Sequence, residues 1–217
     1  MVIAAVHTDA VRAASQFEAC LAAVSADRRS RVRSLVHEDD RRRSLCAGLA
    51  LKVCLNTVSL CEAAEPIVRD EHGCPRLRLH PEWHFSLSHS GEWGVCALAE
   101  SPVGIDVERQ RAVQAERLAE RYFSPQEVTW LKTLTESERQ QAFFRLWTAK
   151  ESVLKAQGVG LSGGLSVPIG CGDTLLAPSP WQLREYSLPG YAVTVCGTEV
   201  FPQELLTFSS FDSALLR

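Results

Sequence analysis

Two carboxylates stand two residues apart in Gly104-Ile105-Asp106-Val107-Glu108. On a strand, alternate side chains share a face, so Asp106 and Glu108 would project together, roughly 6–7 Å apart at the backbone. Like charges that close repel unless a cation or a proton lies between them. Hard oxygen donors of this kind suit Mg²⁺, which takes one or two protein carboxylates and completes its shell with water and phosphate oxygens. From D-x-E alone, a solvated strand face is the better reading. A third carboxylate, Glu151, follows Trp147 by four residues. That spacing puts it at the border of an apolar helical face, where it could complete a metal site or act as a base. Lys155 follows four residues later, the spacing of an ordinary helical ion pair. His89 lies between Ser88 and Ser90, ahead of Gly91. These residues read as donors to phosphate oxygens or as a capped turn. Seven arginines fall between 28 and 43, Arg28, Arg31 and Arg43 among them, against the acids Glu38, Asp39 and Asp40. One helix face would present Arg28 and Arg31 together, enough for one phosphate group, although charge runs are usually solvated faces.

These residues need elements to hold them. Residues 2–6 read as a strand, 10–24 as a helix, and 27–36 as a short basic helix with Ser25 as its N-cap. A longer helix is expected over 41–59, begun by Asp39 or Asp40. Residues 62–82 hold Pro66, Gly73, Pro75 and Pro81 and read as turns and short strands. Residues 83–88 and 94–99 read as a hairpin, and 103–107 as a further strand that carries Asp106. Helices are expected over 112–121, 125–134 and 137–157. The second starts at Ser124-Pro125-Gln126-Glu127 and the third ends at Gly158. Strands over 181–188 and 191–196 close the chain. Helices followed by short strands thus occur twice, which predicts two similar halves divided near residue 109.

The composition narrows the function. With 217 residues the chain can bury a full core. It carries 23 basic and 26 acidic residues, a net charge of -3, which argues against a general polyanion binder. The eight cysteines include no C-x-x-C pair and no zinc-ligand spacing with histidine. They read as small core residues of a reducing compartment. The longest mostly apolar stretch, residues 45–55, has 11 residues and contains Lys52, too short to span a membrane. The N-terminal segment lacks the pattern of a signal peptide. The expectation is a cytoplasmic protein without a membrane or nucleic-acid partner. No G-x-x-x-x-G-K run is present, which removes a P-loop nucleotidase.

Taken in order, the motifs resemble one family, the 4'-phosphopantetheinyl transferases of the Sfp type. The matching features are the basic N-terminal stretch, F-S-L-S-H-S-G at 85–91, G-I-D-V-E at 104–108 and F-S-P-Q-E at 123–127. F-x-x-L-W-T-A-K-E-S-V-L-K at 143–155 and G-x-G-L at 158–161 complete the set. The resemblance spans roughly residues 1–200. It implies an α+β fold, a pseudodimer of two similar α/β subdomains, here expected at 1–108 and 109–217. It also implies an enzyme that moves the phosphopantetheine arm of coenzyme A onto a serine of an apo acyl or peptidyl carrier protein and releases adenosine 3',5'-bisphosphate.

By the same resemblance, Asp106, Glu108 and Glu151 would be Mg²⁺ ligands. Glu151 or a metal-bound water would take the serine proton. Lys155 and His89 would hold coenzyme A phosphates, with Ser88 nearby and Lys150 supporting them. Arg28, Arg31 and Ser44, beside Arg43, match positions that bind the 3'-phosphate. The turn Gly73-Cys74-Pro75 would pass the adenine, and Cys74 stands where relatives commonly carry lysine, a cation that Arg76 could replace. Residues 109–135, with Glu127 among them, would shape the carrier surface. A monomer is expected. Two rivals remain at this level: a Mg²⁺-dependent phosphohydrolase using the same carboxylates on water, and an RNA-binding module built on the arginines.

Overall fold

A computed structural model describes residues 1–60, 66–70, 73–159 and 165–211. Gly160 and Leu161 of the expected G-x-G-L run, and Cys61, lie outside the described residues. The chain divides into two compact units: Met1–Ser101 together with the chain from Glu199, and Pro102–Thr198. The division falls at 101/102 rather than 108/109, so the strand with Asp106 belongs wholly to the second unit. The chain from Glu199, expected in the second half, belongs to the first.

In the first unit, β1 (Val2–His7) leads through a short 3-10 turn to α1 (Ala14–Ala23), α2 (Ala26–Ser34) and α3 (Glu38–Thr57). Ser25 caps α2 as expected, its side chain accepting the Arg28 N–H. The first predicted helix breaks into turn and helix around Arg12, and α3 begins earlier than expected, at Glu38. Its three leading acids, Glu38, Asp39 and Asp40, lie in the first turn, where the helix dipole favours negative charge. A small hairpin follows, β2 (Ile67–Arg69) with β3 (Pro75–Leu77), and then β4 (His84–Ser90) with β5 (Trp93–Ala99). The main sheet has the order β4-β5-β1, and β9 (Leu206–Phe208) adds to β1 in parallel. Helix α3 lies directly on this sheet. At Gly94 a Cβ would stand 2.2 Å from the Ala47 nitrogen, so only glycine permits the approach. Leu45, Leu49, Ala50 and Cys54 of α3 are buried with Ala4, Val6, Cys96 and Leu98 of the sheet.

The second unit repeats this order. It runs from β6 (Gly104–Arg109) through α4 (Ala115–Tyr122), α5 (Pro125–Lys132) and α6 (Glu136–Gln157) to β7 (Gln182–Leu188) and β8 (Tyr191–Gly197). The sheet order is β6-β8-β7, all antiparallel, so the second strand of the hairpin is central, as β5 is in the first unit. Ser124 and Glu127 form the expected capping box of α5. Thr135 and Glu138 form another for α6, and Gly158 ends it at φ 72°. Thr135-x-x-Glu138 was legible as a start signal and places the helix one residue earlier than expected. Cys20, Cys46, Cys54, Cys96 and Cys196 are buried, and the described cysteines form no disulfide. No helix among the described residues is long and apolar enough to cross a membrane.

Candidate active site

The second unit gathers the acidic residues. Asp106 and Glu108 sit on β6, paired with Thr194 and Ala192 of β8. Ile105 and Val107 point into the core, fully buried. Helix α6 crosses β6 at Gly104, where a Cβ would stand 1.8 Å from the Ser152 oxygen. This close approach brings Glu151 and Lys155 to the acidic strand. Lys155 Nζ donates to Asp106 Oδ1 at 2.7 Å and to the Ile105 carbonyl at 3.0 Å. Asp106 is 4% exposed and Glu151 8%. Burial, followed by the Asp106 charge, pushes the Glu151 carboxyl up to about 7; Lys155 opposes the rise and Glu108 adds to it.

The charge pattern decides what this group can hold. Among the described residues, no three His, Cys, Asp or Glu side chains are gathered closely enough to hold a metal ion as they stand. The expected three-carboxylate cluster is therefore not preformed, and Asp106 engages the Lys155 ammonium instead. The donor set still fits Mg²⁺, which needs only one or two protein carboxylates. Burial first, and then repulsion from Asp106 and more weakly Glu108, raises the Glu151 carboxyl, and a cation would relieve the repulsive part of that rise.

Lys150, one residue before Glu151, has a different environment. It is fully buried, with Nζ 2.8 Å from Glu127 Oε1 and 2.6 Å from the Val167 carbonyl. Glu127 is buried with it and accepts N–H groups from Ser124 and Ile169. Lys150, expected to support the phosphate contacts, here directs its buried ammonium to Glu127 and the Val167 carbonyl. Glu127, buried in the same pair, leaves the expected carrier surface.

The first unit gathers the cations. Arg28 is buried along α3, its guanidinium donating to Ser44 Oγ at 3.5 Å. Gly48 makes the room: a Cβ there would stand 2.7 Å from Arg28 Cγ. Arg43 donates to the Gly91 carbonyl at 3.4 Å and pairs with Asp40, whose carboxyl it holds below its usual range. His89 keeps an exposed surface at the end of β4. Partial desolvation, then Arg43, with Arg28 and Arg31 contributing less, lowers its pKa below the ordinary imidazole value. Arg28, Arg31, Arg43 and His89 therefore share one electrostatic neighbourhood, which disfavours the protonated imidazole. Ser88 lies beside it on the same strand. Sequence reasoning missed Gly48. Its signal was an isolated glycine inside a helical run.

The Gly73-Cys74-Pro75 turn is built as expected from a glycine at φ 79°. Asp70 holds it, its carboxylate accepting the Cys74 N–H at 2.9 Å and Arg76 Nε at 3.0 Å. Arg76 also donates to His84 Nδ1 at 2.7 Å. Arginine has no acceptor, so His84 is neutral with its proton on Nε2. Burial and then Arg76 lower its pKa accordingly. Arg76 is thus engaged by Asp70 and His84, with its side chain 40% exposed.

Comparison with known proteins gives the same partition. Residues 102–196 match the model of the 4'-phosphopantetheinyl transferase superfamily, and residues 12–101 match "4'-phosphopantetheinyl transferase, N-terminal". A 4'-phosphopantetheinyl transferase of Bacillus subtilis is 34% identical over 163 residues, 75% of this chain and 72% of the relative. The transferase psf-1 of Bacillus pumilus is 34% identical over 199 residues, 87% and 84% of the two chains. The transferase Sfp of Bacillus subtilis (strain 168) is 29% identical over 229 residues, covering 99% of this chain and 100% of the relative. With both units matched and a carboxylate group of the kind such chemistry uses, this chain belongs to the 4'-phosphopantetheinyl transferase family and is an enzyme of the Sfp type.

Proposed function

We propose that the protein transfers the 4'-phosphopantetheine arm of coenzyme A to a serine hydroxyl of an apo acyl or peptidyl carrier protein. The serine oxygen forms a bond to the phosphorus that bears the pantetheine arm. The bridging pyrophosphate bond breaks, and adenosine 3',5'-bisphosphate leaves. The serine proton goes to Glu151. The observation that carries this reading is the placement of Glu151 and Lys155 of α6 against the Asp106–Glu108 strand, with Lys155 Nζ 2.7 Å from Asp106 Oδ1. Burial, then the Asp106 charge, raises the Glu151 carboxyl in the metal-free site, in the direction that suits a proton acceptor. Lys155, already beside Asp106, neutralises charge on the leaving oxygens. Asp106 and Glu108, with Glu151, would hold Mg²⁺. Bound there, it would supply positive charge for the pyrophosphate oxygens.

The first unit takes the nucleotide end. Arg28, Arg31, Arg43 and Ser44 hold the 3'-phosphate, His89 and Ser88 meet the pyrophosphate, and the 73–75 turn passes the adenine. The second unit supplies the acidic group and, through residues 109–135, the carrier surface. The strand–helix–hairpin order found in each unit supports reading the chain as a pseudodimer in the sense of a duplicated fold. Its place of work is the cytoplasm, where both substrates would be met.

The test is to incubate the protein with coenzyme A, Mg²⁺ and a panel of apo carriers and weigh the carriers by mass spectrometry. Gain of one phosphopantetheine on a carrier, absent with chelator, is expected. Unmodified carriers with free phosphopantetheine released would instead indicate a hydrolase.

A further inference from the structure

The buried Lys150–Glu127 pair lies apart from the ligand-facing residues, yet it touches three segments of the second unit at once. Lys150 comes from the middle of α6. Glu127 comes from the first turn of α5 and closes that helix's cap through the Ser124 N–H at 2.7 Å. The third segment is 167–169, tied by the Val167 carbonyl and by the Ile169 N–H, the latter 2.8 Å from Glu127 Oε1. The Phe123 ring lies 5.1 Å from the Lys150 ammonium and completes its surroundings. A buried ion pair of this kind is weak evidence for stability, since apolar residues of similar volume often do as well. What it supplies is direction.

The direction matters because of where it acts on α6. Each helical residue turns by about 100°. Lys150 and Ser152 therefore point to nearly opposite sides of α6, and Glu151 lies between them. On the Ser152 side, α6 rests on β6 at Gly104. A helix held along one line can roll about its own axis. On the opposite side Phe143 stacks on Phe123 at 5.3 Å and Trp147 lies 6.4 Å from it. These apolar contacts are non-directional, and the Lys150–Glu127 tie adds the directed fixed point there. A roll of about 10° would move a carboxylate about 6 Å from the helix axis by roughly 1 Å, and misplacements of that size cost on the order of 10²-fold in rate.

We propose that Lys150 and Glu127 are positioning residues for the transfer: their buried ion pair sets the rotation of α6, and so the place of Glu151 and Lys155 over β6. The proposal rests on the transfer reading above. Its test compares the native enzyme with Lys150→Met, Glu127→Gln and the double variant Lys150→Met/Glu127→Gln. Thermal midpoint, kcat and KM for coenzyme A are measured with one apo carrier. Each single variant leaves a buried group without its partner and is expected to lower the midpoint strongly. The double variant is expected to regain most of the midpoint while kcat stays 10- to 100-fold down and KM stays within twofold. Recovery of kcat along with the midpoint would mean that the pair only helps folding, and would overturn the proposal. Should the double variant not fold, Glu127→Asp keeps both charges but shortens the reach by one methylene. A folded Glu127→Asp with kcat at least fivefold down supports the proposal, and unchanged kcat overturns it. A crystal structure of whichever variant folds gives a readout independent of activity: α6 rolled against β6 is expected, and α6 superposing on the native helix overturns the proposal. Native enzyme that modifies no carrier would instead overturn the transfer reading and leave the structural readout to decide this one.

Discussion

Glu151 and Lys150 are neighbours with opposite tasks, and only their surroundings separate them. Both were legible as charged residues of one helical motif. Which side of α6 each faced depends on the segments packed there, and no local pattern carries that. Glu151 makes a prediction about pH. Its pKa is about 7 against an ordinary 4.5, so the folded protein binds a proton more tightly than the unfolded chain does. The associated stability is fully present below about pH 4.5 and is lost as pH rises through about 7. In metal-chelated buffer, native stability is expected to decline over that window by on the order of 2–3 kcal/mol. Glu151→Gln removes this decline and lowers kcat by about 10²–10⁴-fold. Denaturant titrations at a series of pH values check the first part, and a slope unchanged by the substitution would refute it. Cys74 carries a second prediction. Arg76 is engaged by Asp70 and His84, so Cys74→Lys adds to the turn a cation that Arg76 does not supply. A half-exposed phosphate contact contributes about 0.5–1 kcal/mol, a few-fold tighter Kd for coenzyme A, shrinking with salt. Calorimetry at two salt concentrations decides it. Unchanged affinity in a folded variant would remove residue 74 from the phosphate contacts.

The elements were easier to read than their contacts. The helices and the two hairpins were expected within a few residues, because caps, prolines and apolar periodicity act locally. The close crossings were not legible, since a glycine's use depends on what lies across from it. Two glycines on the long helices' contacts predict different outcomes. Gly104→Ala drives a Cβ against Ser152 oxygen and Ala156 nitrogen, both main-chain atoms that cannot yield. Overpacking of this kind costs about 1–3 kcal/mol or more, so a lower thermal midpoint and a lower kcat are expected together. Gly48→Ala sits mid-helix, where alanine is favoured by about 1 kcal/mol, but its Cβ meets Arg28 Cγ. The helix gain is offset by displacement of the buried Arg28 stem, so the midpoint is expected to change little or fall slightly while KM for coenzyme A rises several-fold. If KM did not move, Arg28 would not be a phosphate ligand.

At the scale of the whole chain, the repeat was legible but its boundaries were not. Strand β6 continues the apolar run after the first hairpin, so sequence alone attached Asp106 to the first half. The return of the chain to the first unit rests on β9, three residues paired in parallel with Ala4–Val6 some 200 positions away. Such a pairing leaves no local period. What the repeat does predict is how many copies are needed. The acidic group lies wholly in one unit and the basic group wholly in the other, and a single chain carries both. If one chain suffices, specific activity will not change on hundredfold dilution, and light scattering will report a monomer. A genetic cross gives a sharper test. Asp106→Ala removes a member of the acidic group, and Arg28→Ala removes one of the basic group. Were the enzyme assembled from two copies, each lending one group, a mixture of these variants would regain a fraction of native activity from the mixed pairs. If one chain carries out the transfer alone, the mixture stays as inactive as its components. Activity restored on mixing, and lost again on dilution, would place the two groups on different copies and remove the monomer.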